Sequence, residues 1–213
     1  MGNNPVSRID PDGRYWKDDK DERKADRIAK RVEKANDKLV QKMGRVDSKI
    51  AKATSKGDTK KVESLSNQKT DLTSRVETNT KTLTTIGAVG ADPNNVFRFD
   101  NNSTSYQQGT KTVSAYTMGR DFDGTYVINT GANIGNQAHE ITHAGQISRG
   151  GFYIYNTAGD ARISSNSKAT FGSMEVEAYK SEFSAAGSVP FKASFLDDIT
   201  YEAIKEAFPL TYK

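Results

Sequence analysis

His139-Glu140-Ile141-Thr142-His143 is the stretch from which we infer the fold. It lies in the middle of a predicted helix that has Asn133 as its N-cap and ends at Arg149-Gly150-Gly151. Imidazoles at positions i and i+4 project from one face of a helix, where they can bind a single metal ion. Glu140 lies on the neighbouring flank and can take a proton from water. The motif therefore predicts a catalytic metal site with Glu140 as its base.

Chance is a poor explanation for this spacing. The chain has 213 residues and only two histidines. Two histidines placed at random lie four apart in about one arrangement in 110, and Glu follows the first in about one case in 21. The combined probability is roughly one in two thousand, before any requirement that the segment be helical.

The two histidines need a third protein ligand, because two imidazoles leave a zinc ion under-coordinated. The chain contains no further histidine and no cysteine. The third ligand is therefore an oxygen donor, most simply a carboxylate later in the chain. The downstream candidates are Asp160, Glu175, Glu177, Glu182, Asp197, Asp198, Glu202 and Glu206.

A second segment makes the sequence similar to one family of enzymes. Glu175-Val176-Glu177-Ala178-Tyr179 resembles the downstream helix of the gluzincin branch of HExxH metallopeptidases, whose pattern is Glu-x-x-Ala followed by Asp or Asn. The resemblance implies a zincin-like α+β fold, a Zn²⁺ cofactor, Glu175 as the third zinc ligand and peptide-bond hydrolysis. Tyr179 departs from the family, which has an acid or amide at that position, and Glu177 remains an alternative ligand.

The same resemblance implies a strand beside the active-site helix, to whose edge an extended substrate adds. Thr125–Asn129 is the expected strand, and it is expected to pair with residues 112–116 across a loop containing Asp123-Gly124. A hydroxyl that stabilises the transition state is expected from Tyr153, Tyr155 or Tyr179. Two further helices are predicted, over 174–185 and 197–208.

The first part of the chain has a different character. Residues 1–90 contain 21 Lys and Arg against 14 Asp and Glu, whereas residues 91–213 contain 10 against 13. Apolar residues recur every three or four positions from Ile28 to Ile50. The same spacing continues from Val62 to Ile86 after a Gly-containing turn, but Lys69 and Asn79 interrupt it. This pattern predicts a charged antiparallel helical hairpin over 17–90, followed by the zincin-like catalytic domain over 91–213.

The charge of the hairpin is open to two interpretations. Basic and acidic residues alternate along it without interleaved aromatics, which is typical of a solvated helix and indicates no nucleic-acid partner. The alternative is a non-enzymatic protein that acts through this basic hairpin on nucleic acid or on a membrane. A role in delivery, substrate docking or immunity-protein binding is equally compatible with its composition.

The N-terminal residues carry a second resemblance. Asn3-Asn4-Pro5-Val6-Ser7-Arg8-Ile9-Asp10-Pro11-Asp12-Gly13 is similar to the end of an Rhs/YD-repeat core, where a segment N-P-x-x-x-x-D-P-x-G precedes a variable toxin. Residues 1–16 would then be a remnant of that junction. The resemblance implies a secreted effector toxin delivered into the cytoplasm of a target cell, with a protein substrate there. It also implies a cognate immunity protein and an Rhs-repeat shell in the full-length precursor.

The sequence excludes several other classes. No run approaches the roughly 20 apolar residues of a transmembrane helix, so no membrane span is expected. Without cysteine the chain has no disulfides, thiolate nucleophiles or thiolate metal ligands, which suits a protein acting in a reducing compartment.

Overall fold

The structure, a computed structural model, describes residues 16–100, 104–108, 111–115, 118–121, 123–157, 160–165 and 170–209. Within these ranges the side chains of 104–108, 111–115, 118, 155–157 and 160–165 are left out of the description. The Rhs-like segment at 3–13 lies outside the described residues.

The described residues form a mixed α+β protein that is mostly helical, and this part of the predicted fold class is confirmed. The helices are α1 Asp19–Thr54, α2 Thr59–Gly90, α3 Ile134–Ser148, α4 Phe171–Ala186 and α5 Tyr201–Ala207, with a 3-10 turn at Leu196–Asp198. The strands are β1 Phe97–Asp100, β2 Thr104–Gln108, β3 Lys111–Ala115, β4 Met118–Arg120, β5 Tyr126–Asn129, β6 Phe152–Thr157 and β7 Asp160–Ser165.

Local sequence signals set the ends of the two long helices. Asp18 caps α1, because its side chain accepts hydrogen bonds from the backbone N–H groups of Lys20 and Asp21. Residues 55–58 form the turn between the helices, and Gly57 adopts a φ of 68°, a left-handed conformation that favours glycine. Asp58 then caps α2 by accepting from the backbone N–H of Lys61.

The two long helices pack against each other along their length. Near the turn they share a small apolar cluster of Leu39, Val46 and Leu72. Lys69, which interrupts the apolar pattern of α2, forms an ion pair of 2.7 Å with Asp47 of α1. Farther from the turn, the beginning of α1 and the end of α2 enter a larger cluster, so the helices run in opposite directions.

That larger cluster is the main core, and it joins the two long helices to the rest of the protein. It combines residues of α1 and α2 with residues of the sheet, α3, β6 and α4: Ala25, Ile28, Val32, Ile86, Val89, Phe97, Phe99, Tyr126, Ile128, Ile141, Ala144, Ile147, Phe152, Ile154 and Met174. Burial of this apolar surface is the main force that holds α3 in place.

The expected strand pairing is wrong. Residues 111–115 pair with β2 in a separate hairpin, and the antiparallel partner of β5 is β4 instead. The turn at Asp123-Gly124 does lie between two paired strands, but the first of them begins later in the chain than expected. β5 also pairs in parallel with β1, so it occupies the centre of a three-stranded sheet in the order β1-β5-β4. It therefore offers no free edge to a substrate.

The remaining expectations for the helices are close to the structure. Asn133 caps α3, which ends before Gly150 at a φ of 69°. The helix expected over 174–185 begins three residues earlier, at Phe171. The helix expected over 197–208 is divided into the 3-10 turn and α5, and Thr200 caps α5. Among the helices described, none combines the length and the hydropathy that a bilayer crossing requires.

Candidate metal centre

The centre is built between α3 and α4, which pack side by side. Gly135 lies at the start of α3, where an added Cβ would come within 2.9 Å of Cγ of Glu182 and 3.0 Å of Cβ of Ala186. Ala178, in the middle of α4, is fully buried. Small residues at these two positions let the helices approach closely enough for their polar side chains to meet.

Three of the predicted site residues come together in this interface. The Nε2 atoms of His139 and His143 lie 3.2 Å apart. One carboxylate oxygen of Glu175 lies 3.7 Å from Nε2 of His139, and the other lies 3.5 Å from Nε2 of His143. Each residue thus offers one ligand atom, and the three atoms lie within 4.8 Å of one another.

These separations fit a metal ion. Zinc binds imidazole nitrogen at about 2.0–2.1 Å and carboxylate oxygen at about 2.0–2.2 Å, so tetrahedral ligand atoms lie roughly 3.3–3.5 Å apart. The two Nε2 atoms, 3.2 Å apart, lie close to that separation, and each lies 3.5–3.7 Å from a different oxygen of Glu175. Among the described residues, this is the group of histidine and acidic side chains whose geometry suits a metal ion.

The hydrogen bond from Nδ1 of His143 leaves Nε2 of this residue available to a metal. The amide nitrogen of Gln146 donates to the carbonyl of Met174 at 3.0 Å and to Glu177 at 2.7 Å, which fixes the orientation of the amide. The amide oxygen of Gln146 therefore faces Nδ1 of His143, at 2.8 Å. Because an amide oxygen only accepts, Nδ1 of His143 carries the proton and Nε2 keeps its lone pair.

His139 has an equivalent arrangement with a different partner. A carboxylate oxygen of Glu182 lies 3.2 Å from its Nδ1, off the line of the ring N–H. A carboxylate beside Nδ1 keeps the proton there and turns Nε2 towards His143 and Glu175. Histidines that bind metals nearly always have such an outer acceptor, which sets the tautomer and raises the basicity of the ring.

The buried carboxyl groups between α3 and α4 also favour the binding of a cation. Glu140, Glu175 and Glu182 are all buried, and so are the two histidines. Burial lowers the pKa of His139, but Glu182, Glu140 and Glu175 together outweigh this effect and raise that pKa to about 9. Burial lowers the pKa of His143. In the absence of a metal, His139 is therefore protonated, and a divalent cation bound at the site would displace this proton.

Glu140 is buried on α3 next to His139. It is 4% exposed, and its Oε2 atom is buried without a hydrogen-bond partner among the described residues. Burial raises the pKa of Glu140 to about 8, with Glu175 and Glu182 adding to the effect and His139 opposing it. A buried carboxylate oxygen without a partner can accept a hydrogen bond from a polar group such as water.

Glu177, the alternative ligand, points elsewhere. Its carboxylate accepts from the amide of Gln146 and from Arg149, 3.2 Å away. It is half-exposed and supports His143 indirectly, through Gln146. Of the other downstream carboxylates, Asp198 accepts from backbone N–H groups near its own turn.

The three tyrosines fall in different surroundings. The ring of Tyr179 packs edge-on against His139, with ring centres 4.5 Å apart, and also contacts Phe191. Tyr153 is 52% exposed, and it alternates along β6 with Phe152, whose ring contacts His143. The side chain of Tyr153 therefore lies on the face of β6 opposite to Phe152. The side chain of Tyr155 lies outside the described residues.

Glu182 and Gln146, which lie beside the Nδ1 atoms of the histidines, were not predicted from the sequence to have this role. Glu182 was one of eight downstream carboxylates, although its distance of seven residues from Glu175 places both on one face of a helix. Gln146 follows His143 by three residues, which also places the two side chains side by side.

Comparison with protein-family models, curated proteins and solved structures finds no similar protein. The geometry by itself establishes a buried group that could hold a metal ion.

Proposed function

We propose that this protein is a zinc-dependent hydrolase that cleaves peptide bonds. The observation that carries the proposal is the convergence of Nε2 of His139, Nε2 of His143 and a carboxylate oxygen of Glu175 within 4.8 Å. The hydrogen bond from Nδ1 of His143 to Gln146 and the carboxylate of Glu182 beside Nδ1 of His139 support it, because each leaves an Nε2 lone pair directed into the same space.

The donor set favours zinc as the ion. Two imidazoles and one carboxylate leave a fourth position open, which is the arrangement of catalytic rather than structural zinc sites. Zinc in such a site acidifies water and polarises the carbonyl of a substrate. His139, His143 and Glu175 are the residues that would hold it.

Glu140 acts as the general base. It follows the first metal ligand directly, is buried, and has one oxygen without a partner among the described residues. Positive charge bound at the neighbouring ligands would lower the pKa of Glu140 from its raised value, because an opposite charge favours the carboxylate. The deprotonated side chain would then take a proton from water and later pass it to the leaving amine.

Peptide bonds are the proposed substrate because of the resemblance to HExxH metallopeptidases. The HExxH stretch and the Glu-x-x-Ala segment of α4 both carry that resemblance, and the structure brings the two segments together. The N-terminal similarity to Rhs/YD-repeat proteins supports a wider proposal, in which the protein is a secreted effector. Its substrate would be a protein in the cytoplasm of a target cell, and a cognate immunity protein and an Rhs-repeat shell would be its partners.

The test is the substitution Glu140→Gln, which keeps the shape of the side chain and removes the base. We expect the purified variant to retain one zinc per chain, because the substituted side chain is none of the three ligands. Bacterial cells expressing the wild-type protein should gain new protein amino termini, detectable by amine labelling and mass spectrometry. Cells expressing the variant should not gain them.

A matched control is Glu206→Gln, which removes an exposed carboxylate from α5. This control should give the same new amino termini as the wild type. New termini that persist in the Glu140→Gln variant, or their absence from wild-type cells, would contradict the proposed peptidase activity.

A further inference from the structure

Helix α1 carries its basic residues in a regular row. From Lys20 to Lys52 they recur at intervals of four and three residues, and α1 is continuous over this whole range. Ten of its twelve basic residues belong to the row: Lys20, Lys24, Arg27, Arg31, Lys34, Lys38, Lys42, Arg45, Lys49 and Lys52.

Helix geometry converts this spacing into a stripe on one side. At 3.6 residues per turn, all ten positions lie within about 40° on either side of a single line along the helix. The seven acidic residues of α1 all lie at least about 100° from that line. Basic and acidic residues alternate along the sequence of α1, but the row of basic residues and the acidic residues occupy different sides of the helix.

The protein uses the two halves of the stripe differently. In the first half, Arg31 donates hydrogen bonds to the side chain of Gln137 and the carbonyl of Ala132. Lys24 lies over the ring of Phe99. The second half runs from Lys38 to Lys52. In this part of α1 the buried apolar residues form a cluster with residues of α2. Its five basic residues are all exposed, and among the described residues no ion pair involves them: Lys38, Lys42, Arg45, Lys49 and Lys52.

The residue types in this exposed half of the stripe indicate which class of partner it binds. Protein interfaces are depleted in lysine and enriched in aromatic anchors, but the free stripe contains four lysines and no aromatic residue. Helices that bind at membrane surfaces need an apolar face directed towards the lipid. Val40, the one large apolar residue exposed in this part of α1, lies about 160° from the stripe's line at helical geometry. A partner with regularly spaced negative charge fits better.

We propose that residues 38–52 of α1 bind the phosphate backbone of a nucleic-acid duplex. The five side chains span about 21 Å along the helix, with one charge roughly every 5 Å, so several phosphates are neutralised together. Stacking on single-stranded bases needs aromatic side chains, which the stripe lacks. The acidic side of α1 opposes insertion of the whole helix into a groove, so the contact follows the backbone and reads no base sequence.

This proposal is independent of the metal centre, and it departs from the expectation that the protein has no nucleic-acid partner. The test uses the full chain and a fluorescently labelled 20-base-pair DNA duplex of arbitrary sequence, with anisotropy measured as a function of salt concentration. Five phosphate contacts predict a slope of about −4 to −5 for log affinity against log salt concentration. A second duplex of unrelated sequence should bind equally well.

The informative variant is K42E/K49E, and its matched control is K192E/K205E, which changes the net charge equally at exposed lysines elsewhere. We expect the first variant to lose roughly 30-fold or more in affinity at 100 mM salt and to show a slope smaller in magnitude by about two, since each lost phosphate contact accounts for roughly 0.9. The control should remain within roughly threefold of the wild type. Circular dichroism verifies that each variant is folded, and K42Q/K49Q replaces the first variant if it is not.

Several outcomes would overturn the proposal. The wild type could fail to bind the duplex, or both double variants could lose the same affinity, which would reveal an effect of net charge alone. Tighter binding to a single strand of the same length would exclude the duplex as the preferred partner. Binding to vesicles with 30% anionic lipid, but not to the duplex, would assign the stripe to membranes instead.

Discussion

At the scale of single residues, the candidate metal centre depends on side chains that are not among its three candidate ligands. Gln146 and Glu182 present acceptors to the outer nitrogens of His143 and His139, at 2.8 Å and 3.2 Å. An imidazole whose Nδ1 holds the proton has its Nε2 lone pair free, so these two residues select the tautomer that a metal requires.

Glu182→Gln tests this role. The amide can still accept from His139, but it lacks the negative charge that raises the basicity of the ring. We expect zinc affinity to fall about tenfold or more while the variant stays folded. Competition with a chromophoric chelator measures the affinity. Glu202→Gln, at an exposed position of α5, is the matched control and should bind zinc as the wild type does. Unchanged affinity in the Glu182 variant would assign this carboxylate to packing alone.

The candidate ligands were easier to predict from the sequence than the residues that support them. His139, Glu140 and His143 follow from a local motif, because helix geometry alone places them on adjoining faces. Glu175 came from a family resemblance and is brought to the histidines by the packing of α4 on α3. Glu182 could not be separated from the other carboxylates, because the choice among them depends on which face of α4 meets α3.

At the scale of elements, α3 is held from both sides, by α4 at the metal centre and by α2 at its later half. The contact with α2 is very close at Gly145. A Cβ at this position would overlap the methyl group of Thr85 on α2. The close approach of these two helices fixes how far α3, with its two histidines, can move.

Gly145→Ala tests this contact. Alanine in a helix normally gains roughly 0.5–1 kcal/mol over glycine. Here we expect a net loss of about 1–3 kcal/mol, because the new methyl group overpacks the helix interface. The double variant Gly145→Ala/Thr85→Ser lacks the opposing methyl group and should recover most of the loss. Urea denaturation of the wild type, both single variants and the double variant measures the free energies of unfolding. A Gly145→Ala variant as stable as the wild type would contradict the packing described.

The strands were predicted less well than the helices, for a physical reason. The long helices are specified by local apolar spacing and by caps such as Asp18 and Asp58, which depend on nearby residues only. Strand pairing depends on partners far apart in the chain. The parallel pairing of β1 with β5, whose partners Phe97 and Tyr126 are 29 residues apart, leaves no local signal in the sequence.

At the scale of the whole molecule, the protein has acidic residues in its interior as well as charges of both signs along its chain. Three buried carboxylates share one helix interface with two imidazoles. Such a group is costly to bury without a cation. The pKa values of His139 and Glu140 in the metal-free state reflect that cost, and they make the stability of the protein depend on pH and on metal.

The metal-free protein should lose stability as pH rises from about 6.5 to 9. The pKa of His139 is raised from 6.5 to about 9, so the stability from its charged form is complete below 6.5 and lost above 9. The raised pKa of Glu140, about 8, acts in the same direction, because the folded state retains the proton longer than the unfolded state. The lowered pKa of His143 acts in the opposite direction and costs stability as pH falls below 6.5.

Thermal unfolding with and without zinc measures this effect. Zinc binds the deprotonated ligands, so the rise in Tm on adding zinc should be larger at pH 8 than at pH 6.5. The His143→Ala variant should show little rise at either pH. An equal rise in Tm at both pH values, or an equal rise in the His143→Ala variant, would contradict the assignment of the ligands.

X-ray absorption at the zinc edge of the purified protein is the decisive experiment for the proposed zinc site. We expect one zinc per chain, with scattering from two imidazole rings at about 2.0–2.1 Å and from oxygen at about 2.0–2.2 Å. Failure to retain zinc, or a spectrum with fewer than two imidazoles, would contradict a shared site for His139, His143 and Glu175.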